Sequence, residues 1–198
     1  MEIYKIEDHK KNRKLVYLEE GTPAFCLYSR EIKQFGLEEG KELESPVYDD
    51  IITLLSKRAR ERCLYLLDDM ARTEHQIRLK LKEGFYPEEA IDSAVSYCKD
   101  KRYIDDRDYA DRFISSRADK LSRRMIEQKL YAKGISRETV SEVMEESEID
   151  EKAAVKAAIL KKYGDISGCD QEEKQKIIKR LISKGFAYET VKQAVYGE

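Results

Sequence analysis

Apolar residues recur at helical spacing through most of the chain, and one local pattern returns three times. Ile77 and Leu81 lead to Gly84-Phe85 and then to Ala90, Ala94 and Val95. Ile126 and Leu130 lead to Gly134-Ile135, then to Val140, Val143 and Met144. Ile177 and Leu181 lead to Gly185-Phe186, then to Val191, Ala194 and Val195. The three glycines lie 50 and 51 positions apart, and an apolar anchor follows six residues beyond each. The first copy departs in one respect, with two residues rather than three between its leucine and its glycine. An apolar pair at i and i+4 makes a stripe on one helix. A glycine just past that stripe closes the helix in the left-handed conformation, so that the next apolar residue folds back. A second helix then starts, with Pro87 in its first turn in copy one and Ser136 as its N-cap in copy two.

Each helix pair is preceded by a further helical segment, at about Ser56–Met70, Asp106–Lys120 and Asp150–Tyr163. Thr73-x-x-Gln76 and Asp170-x-x-Glu173 have the form of capping boxes opening the middle helices of copies one and three. The unit is therefore three helices, and such units bury their apolar faces by stacking on their neighbours. The first fifty residues read differently. Glu2–Glu7, Arg13–Leu18 and Ala24–Tyr28 are short β-rich segments, and Ser29 to Phe35 suits a short helix ended by Gly36. The expected fold is mainly α: three tandem three-helix repeats forming an elongated curved body, preceded by a small β-containing module. The boundaries read as 1–50 for the β-rich module, then 51–105, 106–148 and 149–198 for the repeats.

Composition supports helices with solvated outer faces. Charged residues make up 39% of the 198 and hydrophobic ones 41%, with only three prolines and nine glycines. The apolar runs are too short to span a bilayer, and the first residues lack a secretory signal's apolar stretch, so a cytoplasmic protein with no membrane partner is expected. Cys26, Cys63, Cys98 and Cys169 lie far apart and only His9 and His75 are present, so no metal site or cofactor is expected and the thiols read as reduced and structural. No phosphate-binding glycine loop or nucleophile elbow occurs. Asp105-Asp106 could suggest acid/base chemistry, but Asp105 stands where a helix N-cap is needed, with Asp108 near the same helix start. No catalytic residue is expected; the chain reads as a binding protein rather than an enzyme.

A formal net charge of −2 conceals an uneven distribution. Lys101 to Arg137 holds eleven cations and six acids, whereas Glu138 to Glu151 holds seven acids and no cation. Arg123, Arg124, Lys129 and Lys133 crowd the middle helix of copy two, a candidate surface for a polyanion or an acidic protein. Arg117 continues the stripe of Tyr109, Ala110, Phe113 and Ile114, so its guanidinium needs a carboxylate or helix-end partner, must snorkel, or meets a phosphate or protein carboxylate. Lys10, Lys11, Arg13 and Lys14 read as a solvated turn.

The stretch Tyr103-Ile104-Asp105-Asp106-Arg107-Asp108-Tyr109-Ala110-Asp111-Arg112-Phe113-Ile114-Ser115-Ser116-Arg117 resembles the motif joining the first two repeats of the RecX family of bacterial recombination regulators. Met125 to Ser136 and Thr73 to Leu81 are similar to the family's middle-helix patterns, and the resemblance spans about Ala59 to the C-terminus. Arg102 departs from the family's usual glycine, and Glu127 from its usual basic residue. The structural motif then comprises Tyr103, Asp105, Asp106, Tyr109, Phe113 and Arg117 with Gly84, Gly134 and Gly185. The resemblance implies a monomeric inhibitor of the RecA recombinase that binds in the groove of the RecA–single-stranded DNA filament. It would modulate ATPase, strand-exchange and coprotease activities in DNA repair and the SOS response. Arg112, Arg123, Arg124, Lys129 and Lys133, supplemented by Arg78 and Lys80, are the expected partner-binding residues. The alternative is a helical-repeat protein that binds single-stranded DNA weakly and directly, acting by competition.

Overall fold

The computed structural model describes residues 1–197. Strands β1 (Lys5–His9), β2 (Arg13–Tyr17) and β3 (Phe25–Tyr28) form an antiparallel sheet in that order. Lys11 and Asn12, both at positive φ, turn the chain between β1 and β2, where hairpins need left-handed residues. Helix α1 (Ser29–Gln34) follows and ends before Gly36, at φ +64°.

Nine further helices follow among the described residues, in three sets of three. The first set is α2 (Ser45–Asp69), α3 (Glu74–Lys82) and α4 (Glu88–Asp100). The second is α5 (Asp106–Ser115), α6 (Arg123–Tyr131) and α7 (Arg137–Glu146), and the third α8 (Glu151–Tyr163), α9 (Gln171–Ser183) and α10 (Tyr188–Tyr196). The protein is thus mainly α, with tandem three-helix repeats behind a small sheet. Helix α2 begins eleven residues before the expected Ser56. Pro46 occupies its first turn, where a missing N–H costs nothing, and Ile51, Leu55, Ala59, Cys63 and Leu66 make one continuous buried stripe. Helix α5 stops at Ser115 instead of Lys120. Beyond it the i→i−3 bonds Arg117 N to Ile114 O and Lys120 N to Arg117 O are mixed with the i→i−4 bonds Ala118 N to Ile114 O and Leu121 N to Arg117 O, so the chain runs on as turns after two serines that favour helices poorly.

The chain divides into two compact units, residues 1–105 and residues 106 onward. In the first, one apolar core runs from Ile3, Val16, Phe25 and Leu27 through the α2 stripe to Ile77, Leu81, Ile91, Val95 and Ile104. The sheet and the first repeat therefore share their interior. Buried thiols Cys63 and Cys98 lie 3.0 Å apart within it, and burial followed by the Cys98 neighbour pushes the Cys63 thiol well above its ordinary range. In the second unit each repeat keeps its own cluster. One is built on Ala110, Ile126, Leu130, Val140 and Val143, the other on Val155, Ile177, Leu181, Val191 and Val195.

The repeats agree more closely than the glycine spacing suggests. Gly134 and Gly185 are left-handed, at φ +81° and +84°, as the sequence requires. In copy one the left-handed residue is Phe85, at φ 58°, not Gly84. The matching 6→1 hydrogen bonds are Tyr86 N to Leu81 O, Ile135 N to Leu130 O and Phe186 N to Leu181 O, at 3.3, 3.3 and 3.2 Å. Each leucine is therefore followed four residues later by the left-handed residue and five later by the one folding back. The N-caps of the third helices, Pro87, Ser136 and Ala187, come next in step. Ile91, rather than Ala90, then corresponds to Val140 and Val191, and all three are fully buried. Copy one has no missing residue. Gly84 is needed for another reason: a Cβ there would lie 2.9 Å from Tyr86 Cε2 and 3.1 Å from Leu81 O.

Candidate interaction surface

Helix α6 is aimed by its caps. Ser122 Oγ accepts from Met125 N at 3.2 Å, closing the N-terminus, while Ile126 and Leu130 bury the inner stripe. That leaves Arg124, Gln128, Lys129 and Tyr131 exposed on the outer side. Among the described residues no ion pair involves Arg124 or Lys129. Arg123 is held down. Its guanidinium donates to Met144 O at the end of α7, its Nε lies 4.0 Å from Glu127, and its backbone N donates to Glu151 at 3.0 Å.

Lys133 sits beyond α6, with Nζ 5.3 Å from the Tyr109 ring centre and 5.7 Å from that of Phe113. The Arg117 guanidinium lies 6.0 Å from the Phe113 ring centre, and the residue is exposed. Of the readings open for Arg117, the guanidinium reaches solvent over an aromatic ring, and no carboxylate pairs with it among the described residues. Phe113 thus has two cations near its ring, an arrangement favourable by about 0.5–1 kcal/mol each at exposed sites. This gives the Tyr109–Phe113–Arg117 part of the motif a physical role: the two rings hold Lys133 and Arg117 on one side of the repeat.

The remaining candidate cations face carboxylates. Arg112 pairs with Asp108 at 2.9 Å, one helical turn back. Arg78 meets Glu74, Glu88 and Asp92 at 2.8, 3.2 and 2.7 Å, which ties α3 to α4, and Lys80 meets Glu83 at 2.8 Å. Hydrogen bonds from Lys99 and Arg78 outweigh partial burial and hold the Glu74 carboxyl below its usual range. Part of the acidic band is drawn inward as well, since Arg107 on α5 bridges to Glu142 and Glu146 on α7. Tyr103 is exposed, and Asp105 immediately precedes α5, where an N-cap stands.

Sequence reasoning passed over a second basic cluster. Arg58 and Arg62 lie one turn apart on α2, Arg58 stacks over the Tyr28 ring at 4.9 Å, and Arg13 of β2 is the cross-strand partner of Tyr28. The signal was available as the i, i+4 spacing of Arg58 and Arg62. The neighbouring strand that completes it could be placed only by the fold.

Models of the first, second and third three-helix domains of RecX match residues 59–98, 105–144 and 150–195. "Regulatory protein RecX" of Caldanaerobacter subterraneus is 30% identical over 197 residues, covering 98% of each chain. The protein of the same description from Clostridium botulinum is 27% identical over 98% of this chain and 94% of its own. A crystal structure described as regulatory protein RecX superposes with a TM-score of 0.62 at 26% identity over 98% of both chains. RecX from Lactobacillus salivarius shares the fold, with a TM-score of 0.63 at 20% identity over 73% of this chain and 97% of that one.

Proposed function

The chain belongs to the RecX family of regulatory proteins, and from that premise we propose that it regulates the RecA recombinase, acting as an inhibitor. It binds in the groove of the RecA filament on single-stranded DNA and lowers ATP hydrolysis, strand exchange and coprotease activity in DNA repair. The observation that carries this beyond the family likeness is the pair Arg124 and Lys129: exposed on α6 with no ion pair among the described residues, beside the aromatic-held Lys133 and Arg117. Such a surface suits an acidic protein face, where charge complementarity speeds encounter and fixes register. Tandem repeats supply linked contacts to successive protomers of a helical polymer, which raises avidity. Inhibition requires tighter binding to one filament state than to another, since equal affinity shifts nothing.

RecA-catalysed ATP hydrolysis on single-stranded DNA, with and without the full chain, tests this reading. A rate that falls with added protein and recovers when Arg124 and Lys129 are neutralised supports it. An unchanged rate at saturating protein would end it. No helix among the described residues is long and apolar enough to cross a membrane.

A further inference from the structure

Two thiols have no part in the filament reading. Cys63 on α2 and Cys98 on α4 are both fully buried, and their sulfurs lie 3.0 Å apart although 35 positions separate them in sequence. Their meeting is set along the whole of α4. At its start the Tyr48 hydroxyl donates to Glu89 at 3.3 Å, and near its end the Arg60 guanidinium lies 4.6 Å from the Tyr97 ring centre. The two helices therefore run in the same direction, with Ala59 and Ala94 each one turn before its cysteine. Both alanines are fully buried, and side chains that small let the helices come close. All four thiols are free, and the other two stand elsewhere, Cys26 on β3 and Cys169 between α8 and α9. A disulfide holds its sulfurs at about 2 Å, so this pair needs to close by only about 1 Å, within reach of small side-chain rotations.

We propose that Cys63 and Cys98 are a redox modification site, at which a peroxide converts the two thiols into an intramolecular disulfide that staples α2 to α4. A thiolate at either position attacks the peroxide O–O bond, keeps one oxygen as a sulfenic acid and releases hydroxide, which takes up the thiol proton as water. The second thiol then attacks the sulfenic sulfur, the S–S bond forms and a second water leaves. Two thiols and one hydrogen peroxide thus give one disulfide and two waters, with two electrons passing from sulfur to oxygen. The second step crosses only 3.0 Å within one core, so it consumes the sulfenic acid before more peroxide carries it to sulfinic acid. The first step is slow, because burial and then the Cys98 neighbour keep Cys63 protonated. The site therefore answers sustained oxidant rather than a brief pulse. The closed loop contains α3 and the Arg78 clamp, so the bond restricts the first repeat's unfolded ensemble. Cys98 O also accepts from Tyr103 N at 2.8 Å and Ile104 N at 3.3 Å, which ties the segment leading out of the first repeat to the stapled residue. Oxidation is measured without any recombinase, so the proposal stands or falls independently of the filament reading.

The test exposes the full chain to hydrogen peroxide at mildly alkaline pH, removes the oxidant with catalase and alkylates the remaining thiols in denaturant. Peptides are then mapped by mass spectrometry with and without reduction. The expected product is a Cys63–Cys98 cross-linked peptide that separates on reduction, with no sulfinic acid at either residue. Hydrogen exchange in α2 and α4 should slow by about tenfold or more in the oxidised chain, while α9 and α10 stay unchanged and dithiothreitol restores the original rates. Cys98→Ala should abolish the cross-link and leave Cys63 to accumulate sulfinic acid, and Cys63→Ala should do the same to Cys98. If either variant fails to fold, the peptide map and exchange rates of the parent decide alone. The proposal is overturned if both thiols are still alkylated once Cys169 is fully oxidised, or if the cross-link joins another pair or two chains. Sulfinic acid at Cys63 or Cys98 of the parent, or exchange in α2 and α4 that the bond leaves unchanged, would overturn it too.

Discussion

The Ser122 hydroxyl joins two repeats: it caps α6 by accepting from Met125 N and donates to Lys184 O, the C-cap of α9, at 2.9 Å. The positive end of one helix thus meets the negative end of another through a single buried oxygen. Gly185 is packed against the same atom, since a Cβ there would lie 3.0 Å from Ser122 Oγ and 3.4 Å from Arg124 Cβ. The junction also orients α6, which carries the proposed filament-binding cations.

Ser122→Ala removes the cap and the inter-repeat bond together. It should destabilise the second unit by about 1–2 kcal/mol in urea denaturation. Gly185→Ala should cost at least about 1 kcal/mol for its left-handed backbone alone, plus the clash with Oγ. In the Ser122→Ala background the clash with Oγ disappears, so the two changes should be less than additive. Strict additivity would show that the Ser122–Gly185 approach contributes no energy.

A second prediction separates the two registers for copy one. If Phe85 were the fold-back residue, truncating it would cost about 3–5 kcal/mol, as for a core phenylalanine. The structure instead gives it a left-handed backbone and an edge-on ring contact with His9 at 5.3 Å. Phe85→Gly relieves the strain while losing that contact, and should stay within about 1 kcal/mol of the parent. Tyr86→Ala and Gly84→Ala should each cost more, the first by emptying the fold-back position and the second by pushing a Cβ into the Tyr86 ring. Chemical denaturation of the three variants decides the register.

That case also shows what the sequence carried and what it hid. The stripes at Ile77/Leu81, Ile126/Leu130 and Ile177/Leu181 follow from the 3.6-residue period, and Thr73, Ser136 and Asp170 cap as their side-chain chemistry dictates. Gly84 misled because a glycine beside a helix end normally marks the left-handed residue, whereas here a phenylalanine accepts that conformation and the glycine makes room for a ring. Helix α2 runs back past Ser56 to Ser45 because Pro46 fits its first turn and Ile51 and Leu55 continue the buried stripe. In the candidate site, the clustering of Arg123, Arg124, Lys129 and Lys133 was legible. Which of them are held by Met144 O or by aromatic rings was not, since those partners lie up to twenty-four residues away in sequence.

The first unit should lose stability in acid with a defined sign. Burial alone would raise the Glu31 carboxyl, but hydrogen bonds from the Arg58 guanidinium and Tyr28 N outweigh it and hold the group below its ordinary 4.5. A carboxyl with a depressed folded pKa contributes stability that is present above the unfolded value and lost as pH falls through the folded one. Glu74 has the same sign. Unfolding free energy should therefore decline as pH drops below about 4.5. Glu31→Gln should destabilise the protein by about 2 kcal/mol at neutral pH, from the lost charge-assisted bonds, and should make the acid decline shallower. An unchanged slope in the variant would show that Glu31 and Arg58 are not paired in solution.

The filament reading makes a ranked prediction. Among the described residues Arg124 and Lys129 face solvent with no carboxylate partner, whereas Arg78, Lys80 and Arg112 already face Glu74, Glu83 and Asp108. A cation that must leave an internal partner gains less from a new one, because the old pair is given up as the contact forms. Arg124→Ala/Lys129→Ala should thus weaken association with the RecA filament by about five- to tenfold and make it less sensitive to salt, mainly through a slower on-rate. Lys80→Ala or Arg112→Ala should each change affinity by less than about threefold, the scale of a screened surface charge. Arg78→Ala should be felt first as a loss of stability, since it removes the clamp between α3 and α4. Filament binding followed by anisotropy across a salt series reads all of these together. If Lys80 or Arg112 outranked the α6 pair, the partner would approach from another face of the repeats, and the Ser122 junction would have no bearing on inhibition.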